Sequence, residues 1–213
     1  MSWSIGEIGA LAVKASRGCG FSWGIAEEAG FAVKWLQARH LPGTAALCQY
    51  LTWCGTGHHV DWPEAVGKES AYCPLRTGTA FADGALPANL SLVRLCYPLL
   101  IVPFLACRTA GGHIRLEIED IRLNISADSV SCTHNDTAIL RPMAAAVISF
   151  HEEPDCSDGA MPHCFTSKHP LPRVPDHTSC CVNQLGHFAH NTYAPATEQS
   201  RLLGAGAGLN DND

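Results

Sequence analysis

The stretch Ile114-Arg-Leu-Glu-Ile-Glu-Asp-Ile-Arg-Leu-Asn-Ile125 decides the fold class. Ile114, Leu116 and Ile118 alternate with Arg115, Glu117 and Glu119, the period of a strand with one buried face. The apolar phase then moves to Ile121, Leu123 and Ile125. A bulge or tight turn at Glu119-Asp120 accounts for that move, since a one-residue slip would otherwise turn every side chain over. Further along, Ala144 to Phe150 reads as another strand. Upstream, Leu99 to Ala106 is short, apolar and rich enough in β-branched residues to be expected as a buried strand.

Outward from this β block the period changes. Ser4 and Glu7 have capping-box spacing, followed by Ile8, Leu11, Ala12 and Ala15 at helical intervals, with a stop at Gly18. A second helix is expected from Ser22 to His40, its stripe formed by Ile25, Ala29, Ala32, Val33 and Leu36. Leu41-Pro42-Gly43 ends it, and a third helix covers Thr44 to Trp53. Residues 58–88 have no clear period and read as a long loop or several short pieces. Residues 152–178, rich in Pro, His, Ser and Asp, read as an irregular excursion. A helix resumes over Cys181 to His190, and a last one is expected to start at Pro195 and end before Gly204. The expected fold is α+β: an N-terminal helical block (1–54), a central, largely antiparallel sheet (89–150) and C-terminal helices with a Gly-rich tail (181–213). All of it is expected as one domain over 1–213.

Composition narrows the function classes. The chain has 213 residues and a formal net charge of -6, and its 14 basic residues are scattered. That argues against a nucleic-acid groove, which needs clustered Lys and Arg. The longest apolar run is far shorter than the roughly 20 residues of a membrane-spanning helix. The N-terminus lacks the basic residues of a signal peptide, so a cytoplasmic location is expected. On the same ground the 11 cysteines are read as reduced, mostly buried thiols rather than a disulfide framework.

Two glycine-punctuated blocks carry the candidate chemistry. In the first, Arg17-Gly-Cys-Gly-Phe-Ser-Trp-Gly24 leads into a helix. A helix start presents free N–H groups and partial positive charge, which suit an anion. Gly18 and Gly20 would let a carboxylate or phosphate substrate approach the backbone, Arg17 would grip it, and Ser22 would cap the helix or bind the ligand. Cys19, beside Arg17 at that start, is a candidate nucleophile with a lowered pKa. Glu28 borders the apolar stripe and is the candidate acid or base. An ordinary interhelical turn is the alternative. The spacing does not match a dinucleotide fingerprint. The second block runs from Asn191 to Asp213, and Tyr193, Glu198 and Arg201 are expected to close the site.

The pairing of Arg17-Gly-Cys-Gly-Phe-Ser-Trp-Gly-Ile-Ala-Glu-Glu-Ala-Gly30 with Thr192-Tyr-Ala-Pro-Ala-Thr-Glu-Gln-Ser-Arg201 and the Gly-Ala repeat after it resembles a bacterial family of unknown function. The resemblance implies a bacterial, single-unit protein and no particular reaction or ligand.

Metal ligation is the further possibility. Cys180-Cys181 with His187 and His190 is the best local cluster, the two imidazoles three residues apart on one helix face. His58-His59 and His163-Cys164 are further donors. No Cys-x-x-Cys and no zinc-protease helix motif accompany them, so no metal is expected, and no cofactor is specified. The leading expectation is a small-molecule metabolic enzyme binding an anionic substrate. Its competitor is a non-catalytic accessory subunit that docks on a partner protein through the terminal blocks, with an exposed apolar patch expected near Trp23, Phe31 and Trp35.

Overall fold

A computed structural model describes residues 2–55, 60–61, 71–109, 111–133, 139–152, 163–167, 173–174 and 179–192. The sheet is built around the hairpin read above. Strands β4 (His113–Ile118) and β5 (Ile121–Ile125) pair antiparallel, with Ile118 opposite Ile121 across the two-residue turn Glu119-Asp120. Glu119 takes a left-handed φ of 52° there. Arg141 clasps the turn, pairing with Glu119 and donating to Asp120 Oδ1 at 2.6 Å. The phase shift in the sequence is therefore the turn itself. Ile114, Leu116, Ile118, Ile121, Leu123 and Ile125 all reach the same buried face.

The remaining strands are β1 (Val60–Asp61), β2 (Ala71–Tyr72), β3 (Leu90–Cys96), β6 (Ser129–Cys132), β7 (Met143–His151) and β8 (His163–Thr166). They form one eight-stranded sheet in the order β1-β2-β3-β7-β4-β5-β6-β8, parallel from β1 to β3 and antiparallel from β3 onward. A register shift lies between Leu92, opposite Ala146, and Leu95, opposite Ala144. That bulge lets two leucines three residues apart both point into the core. The opposite face of these strands carries Val93 and Val147, which the described residues leave exposed.

The helices are α1 (Ile5–Gly18), α2 (Trp23–Ala38), α3 (Gly43–Gly55), α4 (Pro74–Ala82), α5 (Val102–Cys107) and α6 (Ser179–His190). The capping box at the start of α1 is complete: Ser4 Oγ accepts from Glu7 N–H at 3.1 Å, and Glu7 Oε2 accepts from Ser4 N–H at 2.8 Å. The first three helices and α6 fall where the periodicity put them, within two residues at each end. The fold is α+β.

Three stretches differ from expectation. Leu99–Ala106 is not a strand; it lies in a 3-10 turn (Pro98–Ile101) that runs into α5. This run is buried on all sides, so its composition carries no period to separate strand from helix. Pro98 and Pro103 decide it, because a missing N–H is harmless in a helix's first turn and disruptive in a central strand. Within 58–88, the helix α4 emerges, with Pro74 in its first turn and Cys73 Sγ accepting the Arg76 N–H. Within 152–178, β8 extends the sheet edge and Val174 bridges to Trp3. The helix expected at Pro195 and the Gly-rich tail lie outside the described residues.

Helix packing turns on glycine. A Cβ on Gly30 would stand 3.0 Å from the Gly9 carbonyl oxygen, so α1 and α2 cross nearly backbone to backbone. At Gly18 a Cβ would fall 1.8 Å from the Phe188 carbonyl oxygen on α6. Arg39, 7% exposed, ties the end of α2 to the sheet. It donates to the carbonyls of Ala127 and Asp128 at 3.3 Å each, and its guanidinium lies 3.7 Å from the centre of the Trp35 ring.

Gly18→Ala is expected to cost about 1–3 kcal/mol, because the obstacle is backbone that cannot rotate away. In a urea titration its midpoint should fall well below wild type. Gly24→Ala, where a Cβ meets nothing within 4 Å, should instead gain up to about 1 kcal/mol from helix propensity. Equal effects of the two changes would contradict this packing.

Candidate functional site

The first glycine block is a tightly wound helix–helix turn. Cys19 caps α1, the Gly20 N–H reaches the Arg17 carbonyl at 2.9 Å, and the Phe21 N–H reaches the Ser16 carbonyl at 3.1 Å. Those two bonds make a Schellman motif. Gly20 holds its left-handed position at φ 91°, which a residue with a Cβ adopts only at a cost. Phe21 is buried, its ring centroid 6.1 Å from that of Tyr50. Arg17 donates through Nη1 to the Phe21 carbonyl, and its guanidinium lies 4.8 Å from the Trp23 ring centre. Asn191 Nδ2 donates to the Gly18 carbonyl at 3.3 Å, so the first residue of the second block does touch the first block.

Each residue expected in the anion site is therefore placed as follows. Gly18 and Gly20 serve close packing and a left-handed turn, and Arg17 braces that turn. Ser22 stands in the N-cap position of α2, but its side chain makes no cap hydrogen bond, and no acidic residue occupies the helix's first turn. Trp23 is 65% exposed. Tyr193, Glu198 and Arg201 lie outside the described residues. Of the other two aromatic residues expected in a docking patch, Phe31 packs edge-on against Phe104 with centroids 5.7 Å apart, and Trp35 lies under Arg39.

Cys19 requires a correction. The sequence suggested a lowered pKa, but burial pushes its thiol up to about 11. In low-dielectric surroundings the thiolate loses its hydration, and that loss outweighs any help from the helix end. Burial likewise raises Cys54 and Cys96 to about 12, and the Tyr50 hydroxyl, which donates to Cys73 Sγ at 3.0 Å, lies well above its ordinary value.

Glu28 sits elsewhere. It lines a groove of about 410 Å³ between α2, α4 and α5, together with Glu27, Phe31, Thr79, Ala82, Asp83, Phe104 and Cys107. Arg17 is not among these residues. Helical geometry explains the separation: five residues beyond Trp23, Glu28 is rotated by about 140° around α2. Phe31 and Phe104 form the apolar part of the groove. Gly78 lets Phe104 lie flat on α4, since a Cβ there would stand 2.3 Å from that ring. Burial is the main cause that raises the Glu28 carboxyl above its ordinary 4.5, followed by repulsion from Asp83 and Glu27. The Cys107 thiol is raised by burial and then by the Glu28 charge.

A second groove, of about 440 Å³, lies between α1 and α6 and is lined by Trp3, Leu11, Val182, Asn183, Gly186, His187 and His190. The paired imidazoles thus share a groove, as their spacing implied. Among the described residues no group of three or more His, Cys, Asp or Glu side chains is placed to hold a metal ion. Among the same residues no helix is long and apolar enough to cross a membrane.

Sequence reasoning singled out Glu28 and did not name Thr79, Asp83, Phe104 or Cys107, which line the same groove. The available signal was proline position: Pro74 and Pro103 each mark a first helical turn. Read that way, both missed helices come into view, although their convergence on Glu28 does not.

The fold and the groove define an α+β protein with an acidic, aromatic-lined cleft. Residues 3–95 match the model of a family described as "Protein of unknown function (DUF3726)". The resemblance to a family of unknown function therefore holds over that span, which includes the first glycine block and not the second. No curated protein and no solved structure matches the chain.

Thiol labelling at pH 7 should modify Cys19 at least ~10-fold more slowly than the exposed Cys164, since a half-buried thiol raised to about 11 is almost wholly protonated and shielded from the reagent. For Glu28 the sign of the pH effect follows from its raised pKa. The folded state holds the proton more tightly than the unfolded chain, so this group's contribution to stability is present below 4.5 and is lost as pH rises through the folded pKa. Glu28→Gln should thus stabilise the fold slightly at pH 7, by about 0.5 kcal/mol or less given solvent screening, and leave stability unchanged near pH 4. Scanning calorimetry at the two pH values checks both signs.

Proposed function

We propose that this protein binds a small organic molecule in the groove between α2, α4 and α5, as an enzyme in which Glu28 is the acid or base. One observation carries this reading: a carboxyl held above the ordinary range, in a concave groove whose apolar part is two phenyl rings. Groove volume supports it, as sites of roughly 300–1,000 Å³ are usual for small ligands. Carboxyls with raised pKa values gather at sites of proton transfer. The ligand chemistry differs from the anionic substrate expected from sequence. Glu27, Glu28 and Asp83 together repel an anion and favour a ligand with an apolar body and an ammonium group.

The start of α2 favours a second reading, the anionic ligand originally expected. There the Ser22 hydroxyl leaves the first helical N–H groups uncapped, with Arg17 and an exposed Trp23 beside them. Glu28, on another face of α2, takes no part in it.

Phenethylammonium and phenylacetate form a matched pair of probes. The groove reading expects phenethylammonium to raise Tm and phenylacetate to have no effect. Its affinity should grow as pH rises through the Glu28 pKa, because the cation binds the ionised carboxylate. Glu28→Gln should weaken it by about 5- to 10-fold, the worth of one partly exposed charge pair, and flatten the pH dependence. Stabilisation by phenylacetate or inorganic phosphate, abolished by Arg17→Ala, would instead establish the second reading and overturn the first.

A further inference from the structure

The α3–α6 contact brings together thiols that neither groove uses. Cys48, on α3, is buried, with 7% of its surface exposed. Cys181, in the first turn of α6, lies across the contact between α3 and α6, near enough that the two thiols perturb each other's ionisation. Cys180, next in the chain, is exposed, and its sulfur lies 3.9 Å from that of Cys181. One surface thiol therefore adjoins a half-buried thiol of α6 and a buried thiol of α3, drawn from helices far apart in sequence.

Geometry selects the partners. Adjacent residues have Cα atoms about 3.8 Å apart, closer than the roughly 4.4–6.8 Å of ordinary disulfides. A bond between Cys180 and Cys181 would also distort the first turn of α6. A bond from α6 to Cys48 joins two helices already in side-chain contact.

We propose that Cys48 and the Cys180-Cys181 pair form a redox modification site, at which hydrogen peroxide joins α3 to α6 through a reversible disulfide. The exposed Cys180 thiolate attacks one peroxide oxygen, the O–O bond breaks, and hydroxide leaves to take up a proton as water. The resulting sulfenic acid is attacked by the Cys48 sulfur; the S–O bond breaks, an S–S bond forms and a second water is released. In total two thiols lose two hydrogens and one peroxide becomes two waters. Exchange with the neighbouring Cys181 thiol then transfers the bond to the Cys48–Cys181 pair and frees Cys180. The raised pKa of Cys181, about 12, suits the role of a second partner rather than the point of entry. Once formed, the bond fixes α6, and with it the Phe188 backbone that packs on Gly18.

The test uses the wild-type full chain, freed of reductant and treated with a small excess of hydrogen peroxide. It is then denatured, alkylated, digested and mapped by mass spectrometry. The expected product is the Cys48 peptide cross-linked to the peptide holding Cys180 and Cys181, lighter by two hydrogens and separated again by dithiothreitol. Cys180→Ser should slow its formation at least ~10-fold, with the residual product on Cys181. Cys48→Ser should abolish it and leave Cys180 to over-oxidise to sulfinic acid. Complete alkylation of Cys48 in peroxide-treated wild type overturns the proposal, whatever becomes of Cys180. Equal rates for wild type and Cys180→Ser would overturn Cys180 as the point of entry.

Discussion

The close approach of backbones on both sides of α1 is the constraint on which the remaining helices depend. Gly30 lets α2 settle against the Gly9 carbonyl, and Gly18 lets α6 rest its own backbone on the end of α1. Side chains at either contact would push the helices apart by more than a core can absorb, because interiors are packed as densely as organic crystals. With α1 and α2 held this close, the turn between them has only three residues outside α1 and α2 beyond the cap Cys19, namely Gly20, Phe21 and Ser22. A left-handed Gly20 and the Arg17 brace are what close so short a connection. Two of the glycines that looked like a ligand cradle are there for packing and chain reversal.

From this arrangement the direction of α2 follows, and with it the site. One face of α2 joins the core through Ala29, Ala32, Val33 and Leu36. Its far end is fixed to the β5–β6 turn by Arg39, whose charge is satisfied by carbonyls and an aromatic face. A buried guanidinium with such partners tolerates little displacement. Glu27 and Glu28 are left on the flank that meets α4 and α5, beside two phenyl rings. The acidity of the groove is thus a consequence of where α2 must lie, and the raised Glu28 pKa comes from burial and crowding combined.

Cysteine chemistry obeys the same logic. At Cys96, which is fully buried, burial pushes the thiol up to about 12 and makes it a small hydrophobe. Where helices meet near the surface, as at Cys48, Cys181 and Cys180, thiols gather within reach of an oxidant. Residue type is constant across these thiols, and what differs is whether an exposed neighbour such as Cys180 stands beside them.

The sequence by itself determined the elements whose pattern repeats: the β4–β5 hairpin from its two-residue alternation, α1 from its capping box and 3.6-residue stripe, α2, α3 and α6 from period and punctuation. It also singled out Glu28, because an acidic residue at the border of an apolar stripe is marked by helical angle alone. It misread Leu99–Ala106, since a run buried on all sides has no polar phase to reveal its period. Only the tertiary structure decided which glycines face backbone and which face solvent, which thiols are buried, and that Arg17 and Glu28 lie on different faces of α2. Local pattern fixes each residue's place on its own element. The groove around Glu28 depends on Asp83 of the α4 cap and Phe104 of α5, and packing between elements brings those residues together.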